Sequence, residues 1–156
     1  MRRLRALLLG PCCLLVSAAC ANLGSGSAPN GPSHAKQVVL AFYEQALVQK
    51  QVRAAFEHFA SSAFVEHKPD VPGGTREATI RYLEDLVASL PTARWEVLRT
   101  VAEGDVVAPH ARFLPAPEAA AYAIADFFRV QDGAIVEHWD VVAGPPEDAV
   151  NPNPRF

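Results

Sequence analysis

The sequence predicts an α+β fold in which about three N-terminal helices pack on a curved antiparallel sheet. Two observations carry the prediction. Between about His34 and Pro91 apolar residues recur at helical spacing, and beyond Pro91 the period changes to two. Turn-forming residues then divide the second half into four runs of strand length. Helices followed by strands, without alternation, indicate α+β and not a parallel α/β sheet. The 156 residues suffice for one domain with one core.

The helical half opens with "AKQVVLAFYEQALVQK", which sets Val38 or Val39, Phe42 and Ala46 on one stripe. "QVRAAFEHFA" continues it with Val52, Ala55, Phe56 and Phe59, as one bent helix or as two joined at Lys50-Gln51. A short strand through Val65 and a loop with Pro69, Pro72 and two glycines follow. Thr75 is placed to cap the next helix, with Glu77 in its first turn. That helix turns Ile80, Leu83, Val87 and Leu90 inward and stops at Pro91. "RWEVLRTV", "DVVAPHARFL", "AAAYAIADFFRV" and "AIVEHWDVV" are the strands, with turns at Glu103-Gly104, Pro115/Pro117 and Asp132-Gly133.

The segment before the domain reads differently. Residues 1–19 have a basic start, a short apolar run and small residues, as a secretory signal peptide does. Ser17-Ala18-Ala19-Cys20 resembles a bacterial lipobox, in which cleavage leaves a lipidated cysteine; an ordinary secretory cleavage near Ala19 is the alternative. Residues 20–33 are rich in Gly, Ser, Pro and Asn and read as a flexible tether, leaving 34–156 as the domain. The expected location is the bacterial cell envelope, with acyl chains on Cys20 holding the protein to a membrane, or else the periplasm or medium. Cys12 and Cys13 leave with the signal, so no disulfide is expected. Loss of Arg2, Arg3 and Arg5 takes the net charge from −3 to −6, a poor match for nucleic acid.

The chemistry centres on "YAIADFFRVQDGAIVEHWDVV". Tyr122, Ile124, Phe128 and Val130 form one apolar face, and Asp126 sits in its middle. Asp132-Gly133 signals a two-residue turn with positive φ at both positions. Counting from it sets Val130 opposite Ile135, Phe128 opposite Glu137, and Asp126 opposite Trp139. Phe127, Arg129, His138 and Asp140 then fall on the other face. A one-residue slip instead points His138 and Asp140 at Asp126. Burial among apolar groups would raise the Asp126 pKa toward neutrality, as a general acid/base requires. A structural carboxylate paired with an arginine or a backbone donor is the competing reading.

His110 in "DVVAPHARF" is the second candidate, level with Val97 if Glu103-Gly104 form the turn. A satisfied core histidine is its simpler explanation. His67 in "FVEHKPD" is placed to close the mouth of a pocket, whereas His34 and His58 read as solvated. The sequence has no HExxH pair, cysteine metal motif, phosphate loop, GxGxxG or GxSxG, so neither a metal nor a cofactor is expected. His67, His110, His138 and Asp126 would bind a metal only by converging, and the first register turns His138 away.

"FVEHKPDVPGG", "EGDVVAPHARF", "IADFFRVQDGAIVEHWDVV" and the terminal "PNP" together resemble the SnoaL-like polyketide cyclase group of the NTF2-like superfamily, from about His34 to Phe156. The resemblance implies a cone-shaped α+β barrel with a pocket between three helices and a strongly curved sheet. It also implies cofactor-independent chemistry in which an aspartate serves as acid/base on an enolisable substrate. Asp126 falls at that position, and His110 falls where a histidine partner is often found. His67 matches a histidine in a similar "QHNP" pattern, here "EHKP". Dimerisation through the outer sheet face, which would suit Phe127, is likewise implied by the fold.

Polyketide cyclases act in the cytoplasm, so an exported chain is not expected to cyclise antibiotics. The expected function is acid/base chemistry on a small apolar carbonyl compound: aldol-type cyclisation, isomerisation or dehydration. Asp126 and His110 are the expected catalytic residues. His67, Tyr122, Phe128, Glu137 and Trp139 are expected to contact substrate. The alternative is a non-catalytic envelope lipoprotein that binds an apolar ligand or a partner protein.

Overall fold

The computed structural model describes residues 31–156. The expected signal peptide, Cys20 and most of the tether lie outside these residues. Helix α1 runs Pro32–Tyr43, with proline in its first turn where no N–H is needed. Pro32 and Ser33, given above to the tether, therefore belong to the folded domain. A π-helical turn, Glu44–Val48, continues α1. Lys50, at φ 58°, then breaks the chain direction before helix α2, Val52–Phe59. The two helical runs are thus separate, and the break falls at Lys50-Gln51. The Lys50 ammonium reaches the carbonyls of Leu90 and Pro91, tying this break to the end of the third helix.

Strand β1 is Ala60–Glu66, helix α3 Arg76–Ser89, β2 Arg94–Glu103, β3 Val106–Leu114, β4 Tyr122–Gln131 and β5 Ala134–Ala143. The Thr75 hydroxyl accepts from the Ala78 N–H, capping α3 as its sequence predicts. The strands form one sheet in the order β1-β5-β4-β3-β2. The sheet is mixed, which corrects the expectation of a wholly antiparallel one: β1 runs parallel to β5. Hairpin turns dictate antiparallel neighbours for β2 to β5. The first strand is free of that constraint, because α3 and β2–β4 lie between it and its partner in the chain.

The helices cover one face of the sheet, called here the inner face. Val39, Phe42, Ala46, Val52, Ala55 and Phe56 from the helices meet Phe64, Val107, Ala111, Phe128, Val130 and Ile135 from the strands. Phe42 stands edge-on to Phe56 and to Phe128, at 5.1 and 5.7 Å between ring centres. Each such ring, fully buried, contributes about 1.5–3 kcal/mol. Helix α3 differs. Ile80 is fully buried, but Leu83, Val87 and Leu90 are only partly so. Leu83 and Leu86 look into a cavity between α3 and the sheet.

Register is where sequence and structure part. The Asp132-Gly133 turn has φ of 50° and 78°, and Val130 pairs with Ile135 as counted. A bulge follows at once. Arg129 pairs with Glu137, Phe128 with His138, Phe127 with Trp139 and Asp126 with Asp140. The expected pairs of Phe128 with Glu137 and Asp126 with Trp139 are therefore corrected by one residue. Without the bulge, Glu137 would be buried beside Phe128 with no partner, at a desolvation cost. With it, Glu137 meets Arg129 outside at 2.6 Å, and His138 turns inward. A bulge beside a turn also bends the strand around the core.

Candidate active site

The cavity holds about 340 Å³. Phe42, Leu47, Phe56, Phe64, Trp95 and Phe113 make up much of its apolar wall. Its charged residues come from β1 and the residues just beyond it, from β4 and from β5. On β4, Asp126 is 7 % exposed. Phe64 and Glu66 on β1, and Lys68 just past its end, follow on alternate positions, and Glu66 is 5 % exposed. On β5, His138, Asp140 and Val142 alternate in the same way. Parallel pairing sets Glu66 beside His138, and antiparallel pairing sets Asp140 beside Asp126. Three strands thus bring their charged residues to one patch of wall.

There His138 bridges two carboxylates. Its Nδ1 donates to Glu66 at 2.8 Å and its Nε2 donates to Asp126 Oδ1 at 3.2 Å. Glu66 also accepts from the Lys68 backbone N–H at 2.9 Å. Burial alone would lower the imidazole pKa. The hydrogen bonds and charges of Asp126 and Glu66 outweigh it and raise the pKa to about 9. His138 is therefore a cation near neutral pH, with both nitrogens committed. The Tyr43 hydroxyl also lies beside Asp126, and burial first, then the charge of Asp126 and a hydrogen bond to it, hold the tyrosine pKa well above its ordinary value. Nearby, Lys68 donates to Asp140 at 2.7 Å and pairs with Asp70 at 3.3 Å. Burial works against the ammonium, and the bond to Asp140 more than offsets it, so the Lys68 pKa is raised.

Of the residues expected at the site, Asp126, Tyr122 and Phe128 line the cavity. His67, Glu137 and Trp139 do not; they lie on the outer face. The His67 ring stacks on Trp139 at 4.5 Å and 5°, with Glu137 at 3.5 Å. Arg129 lies over the other ring system of this cluster, 5.7 Å from the Trp139 centre, and also binds Asp105 at 3.1 Å. The bulge accounts for Glu137 and Trp139. For His67 the reason is strand parity, since Glu66 and Lys68 hold the inward positions.

His110 is also on the outer face, against expectation. The turn is Gly104-Asp105, so Glu103 pairs with Val106 and His110 lies opposite Arg99, not Val97. A break between Val97 and Arg99 restores Val97 to the inner face, opposite Ala111. Val107, Pro109 and Ala111 are fully buried inside, which forces the intervening His110 outward. Its Nδ1 meets Arg99 at 2.9 Å, and its ring stacks near Phe156 at 6.2 Å. Phe127 is on this face as expected, 37 % exposed and paired with Trp139.

Sequence reasoning thus missed Glu66 and Lys68, and turned His138 and Asp140 toward Asp126 only in its alternative register, which is the one the structure shows beyond the bulge. The signal for them was alternation: "FVEHK" and "EHWDVV" each place charged residues two apart, in phase with an inward apolar residue. The imagined convergence of His67, His110, His138 and Asp126 does not occur. Among the described residues no three His, Cys, Asp or Glu side chains are arranged to hold a metal ion.

The comparisons agree with this architecture. The SnoaL-like domain model matches residues 39–138. Among solved structures, a proposed SnoaL-like polyketide cyclase from Jannaschia sp. CCS1 is 18% identical with a TM-score of 0.61, covering 74% of this chain and 88% of its own. AclR, a proposed hydroxylase from Streptomyces galilaeus, is 20% identical with a TM-score of 0.61, covering 72% and 91%. An NTF2-like protein of unknown function from Mesorhizobium loti is 23% identical with a TM-score of 0.58, covering 72% and 93%. No curated protein matches by sequence. The chain belongs to the SnoaL-like domain family, on the NTF2-like fold.

Proposed function

We propose that this member of the SnoaL-like family is an acid/base enzyme that removes and returns a proton beside the carbonyl of a small, mostly apolar compound. The observation that carries the reading is Asp126 itself. It is a buried carboxylate in an apolar cavity, held through one oxygen by His138, which Glu66 anchors from behind. A base must be fixed in position and face the reacting carbon. Here Glu66 orients His138, His138 orients Asp126, and Asp126 takes the proton. His138 replaces His110 as the histidine partner in this reading, and acts as a positioning residue. Tyr122, Phe128 and Trp95 supply apolar contact. Aldol-type cyclisation, isomerisation and dehydration all begin with such a proton transfer.

The test is deuterium exchange at the α-carbon of small cyclic ketones such as 2-tetralone and 2-indanone, followed by NMR in D2O. Wild type should accelerate exchange, and Asp126→Asn should slow it by about 10²–10⁴-fold with the fold intact. Equal exchange by the two proteins would remove the base from Asp126. Binding of these ketones by wild type without exchange would favour the ligand-binding lipoprotein.

The same reading keeps the enzyme in the envelope. The support is the sequence Ser17-Ala18-Ala19-Cys20, and Cys20→Ser should release the protein from membranes.

A further inference from the structure

We infer that Lys68 and Asp140 form a hydroxyl-binding subsite in which Lys68 is a general acid, so that the ligand is a β-hydroxy ketone and the reaction its dehydration. The inference rests on the proposed role of Asp126, and it selects one of the reactions that open with that proton transfer.

The pair stands in the wall of the same cavity. Asp140 is the antiparallel partner of Asp126, so both carboxylates leave the sheet on its inner face. Side chains at such positions stand about 5 Å apart. Lys68 reaches Asp140 from the other side, just past the end of β1, the strand beyond β5. Asp140 therefore lies between Lys68 and Asp126. The Lys68 and Asp140 side chains are only 19 % and 10 % exposed. An ion pair this deep in an apolar wall bears a desolvation cost and is a poor source of stability, so two apolar residues would serve a fold with no use for it.

The hydrogen-bonding capacity left over identifies the ligand group. An ammonium has three N–H donors. Lys68 gives one to Asp140 Oδ2 at 2.7 Å and turns a second toward Asp70 at 3.3 Å. One donor remains. Oδ1 of Asp140 accepts no hydrogen bond from the described residues. A spare donor beside a spare acceptor matches a hydroxyl, which both accepts and donates. A ketone oxygen would use only the donor, and a ligand ammonium only the acceptor. His138 cannot take this part, because Glu66 and Asp126 hold both its nitrogens.

The spacing places that hydroxyl on the carbon next to the one Asp126 attacks. Asp126 takes the α-proton, and the C–H electron pair becomes the enolate. The oxygen pair of the enolate then re-forms the carbonyl, and its C=C pair shifts to join the α- and β-carbons. The C–O bond at the β-carbon breaks with its pair on oxygen, which takes a proton from Lys68 and leaves as water. Transfer of the proton from Asp126 through Asp140 to Lys68 restores all three. Lys68 holds the required proton at neutral pH: burial lowers its pKa, and the hydrogen bond and charge of Asp140 more than offset this. Departing hydroxide is far more basic than a lysine amine, so the transfer runs downhill.

The test uses 4-hydroxy-4-phenylbutan-2-one, a neutral β-hydroxy ketone with one apolar ring, and the full chain. Dehydration gives a conjugated enone, followed by ultraviolet absorbance. Exchange of the protons between the carbonyl and the hydroxyl-bearing carbon is followed on the same compound by NMR in D2O. Wild type should do both. Lys68→Gln still donates a hydrogen bond but has no proton to transfer, and its ratio of dehydration to exchange should fall by about 10²-fold or more. Lys68→Met should lower the ratio at least as far. An unchanged ratio in Lys68→Gln would overturn the inference, and so would a wild type that exchanges the protons without forming enone. Equal loss of both reactions in a folded Lys68→Gln would put Lys68 on the carbonyl oxygen and overturn it too. Failure of the Asp126 reading looks different: Asp126→Asn then exchanges protons as wild type does.

Discussion

The two faces of the β4–β5 hairpin carry nearly the same chemistry with opposite consequences. Outside, Arg129 sits between Glu137 and Asp105, beside a histidine stacked on a tryptophan. Inside, His138 sits between Glu66 and Asp126. Each is a cation between two carboxylates. The outer group is open to water, which screens it and offers every member another partner. The inner group has no such substitute, so each member depends on the others. Burial, and not residue type, separates a surface network from a candidate site. "EHWD" contributes alternate residues to both.

This contrast is sharpest when a member is removed. His138→Ala leaves two buried carboxylates facing each other with no cation, and should cost about 3–5 kcal/mol in chemical denaturation. A loss below ~1 kcal/mol would mean that the inner group is as solvated as the outer one.

Titration should separate the faces next. The folded pKa of His138, about 9, lies above the ordinary histidine value of about 6.5. Its stabilisation is then fully present below pH ~6.5 and is lost as pH rises through 9. The whole change is on the order of 3 kcal/mol. Denaturation midpoints measured from pH 6 to 10 should fall across that window, and Asp126→Asn should shrink the fall.

A smaller effect is expected at the loop that holds Glu66. Gly74 has φ 58°, and a Cβ there would stand 2.5 Å from the Glu66 carbonyl oxygen. Gly73, at φ 72°, has nothing within 4 Å of that position. Both alanine variants bear the backbone penalty of about 1 kcal/mol. Gly74→Ala should lose more, and should also lower the His138 pKa by shifting Glu66. Equal losses at the two glycines would show that the loop does not position Glu66.

The smallest effect should come from outside. Arg129→Ala should change the melting temperature little, and less still in high salt.

The fold was legible because its signals are local. The stripe through Val39, Phe42 and Ala46, the Thr75 cap and the Asp132-Gly133 turn each report on a few neighbouring residues. Asp126 was legible for the same reason: strand alternation alone turns it inward with Phe128, whatever lies opposite. His138 was not. Its side depends on a bulge one residue past the turn, and nothing in "GAIVEHWD" marks where the extra residue falls. Glu66 was hidden twice, by the phase of a short strand and by parallel pairing with a strand about 70 residues away in the chain. Local order in the sequence therefore gave one carboxylate of the site, while its partners follow from long-range register.

The central claim is that His138 faces inward as a cation locked between Glu66 and Asp126. An NMR titration of the imidazole nitrogens measures this most directly. His138 should remain doubly protonated through neutral pH and lose its proton near pH 9. Loss of the proton near pH 6.5, the ordinary histidine value of about 6.5, would place His138 outside the buried triad and contradict the account.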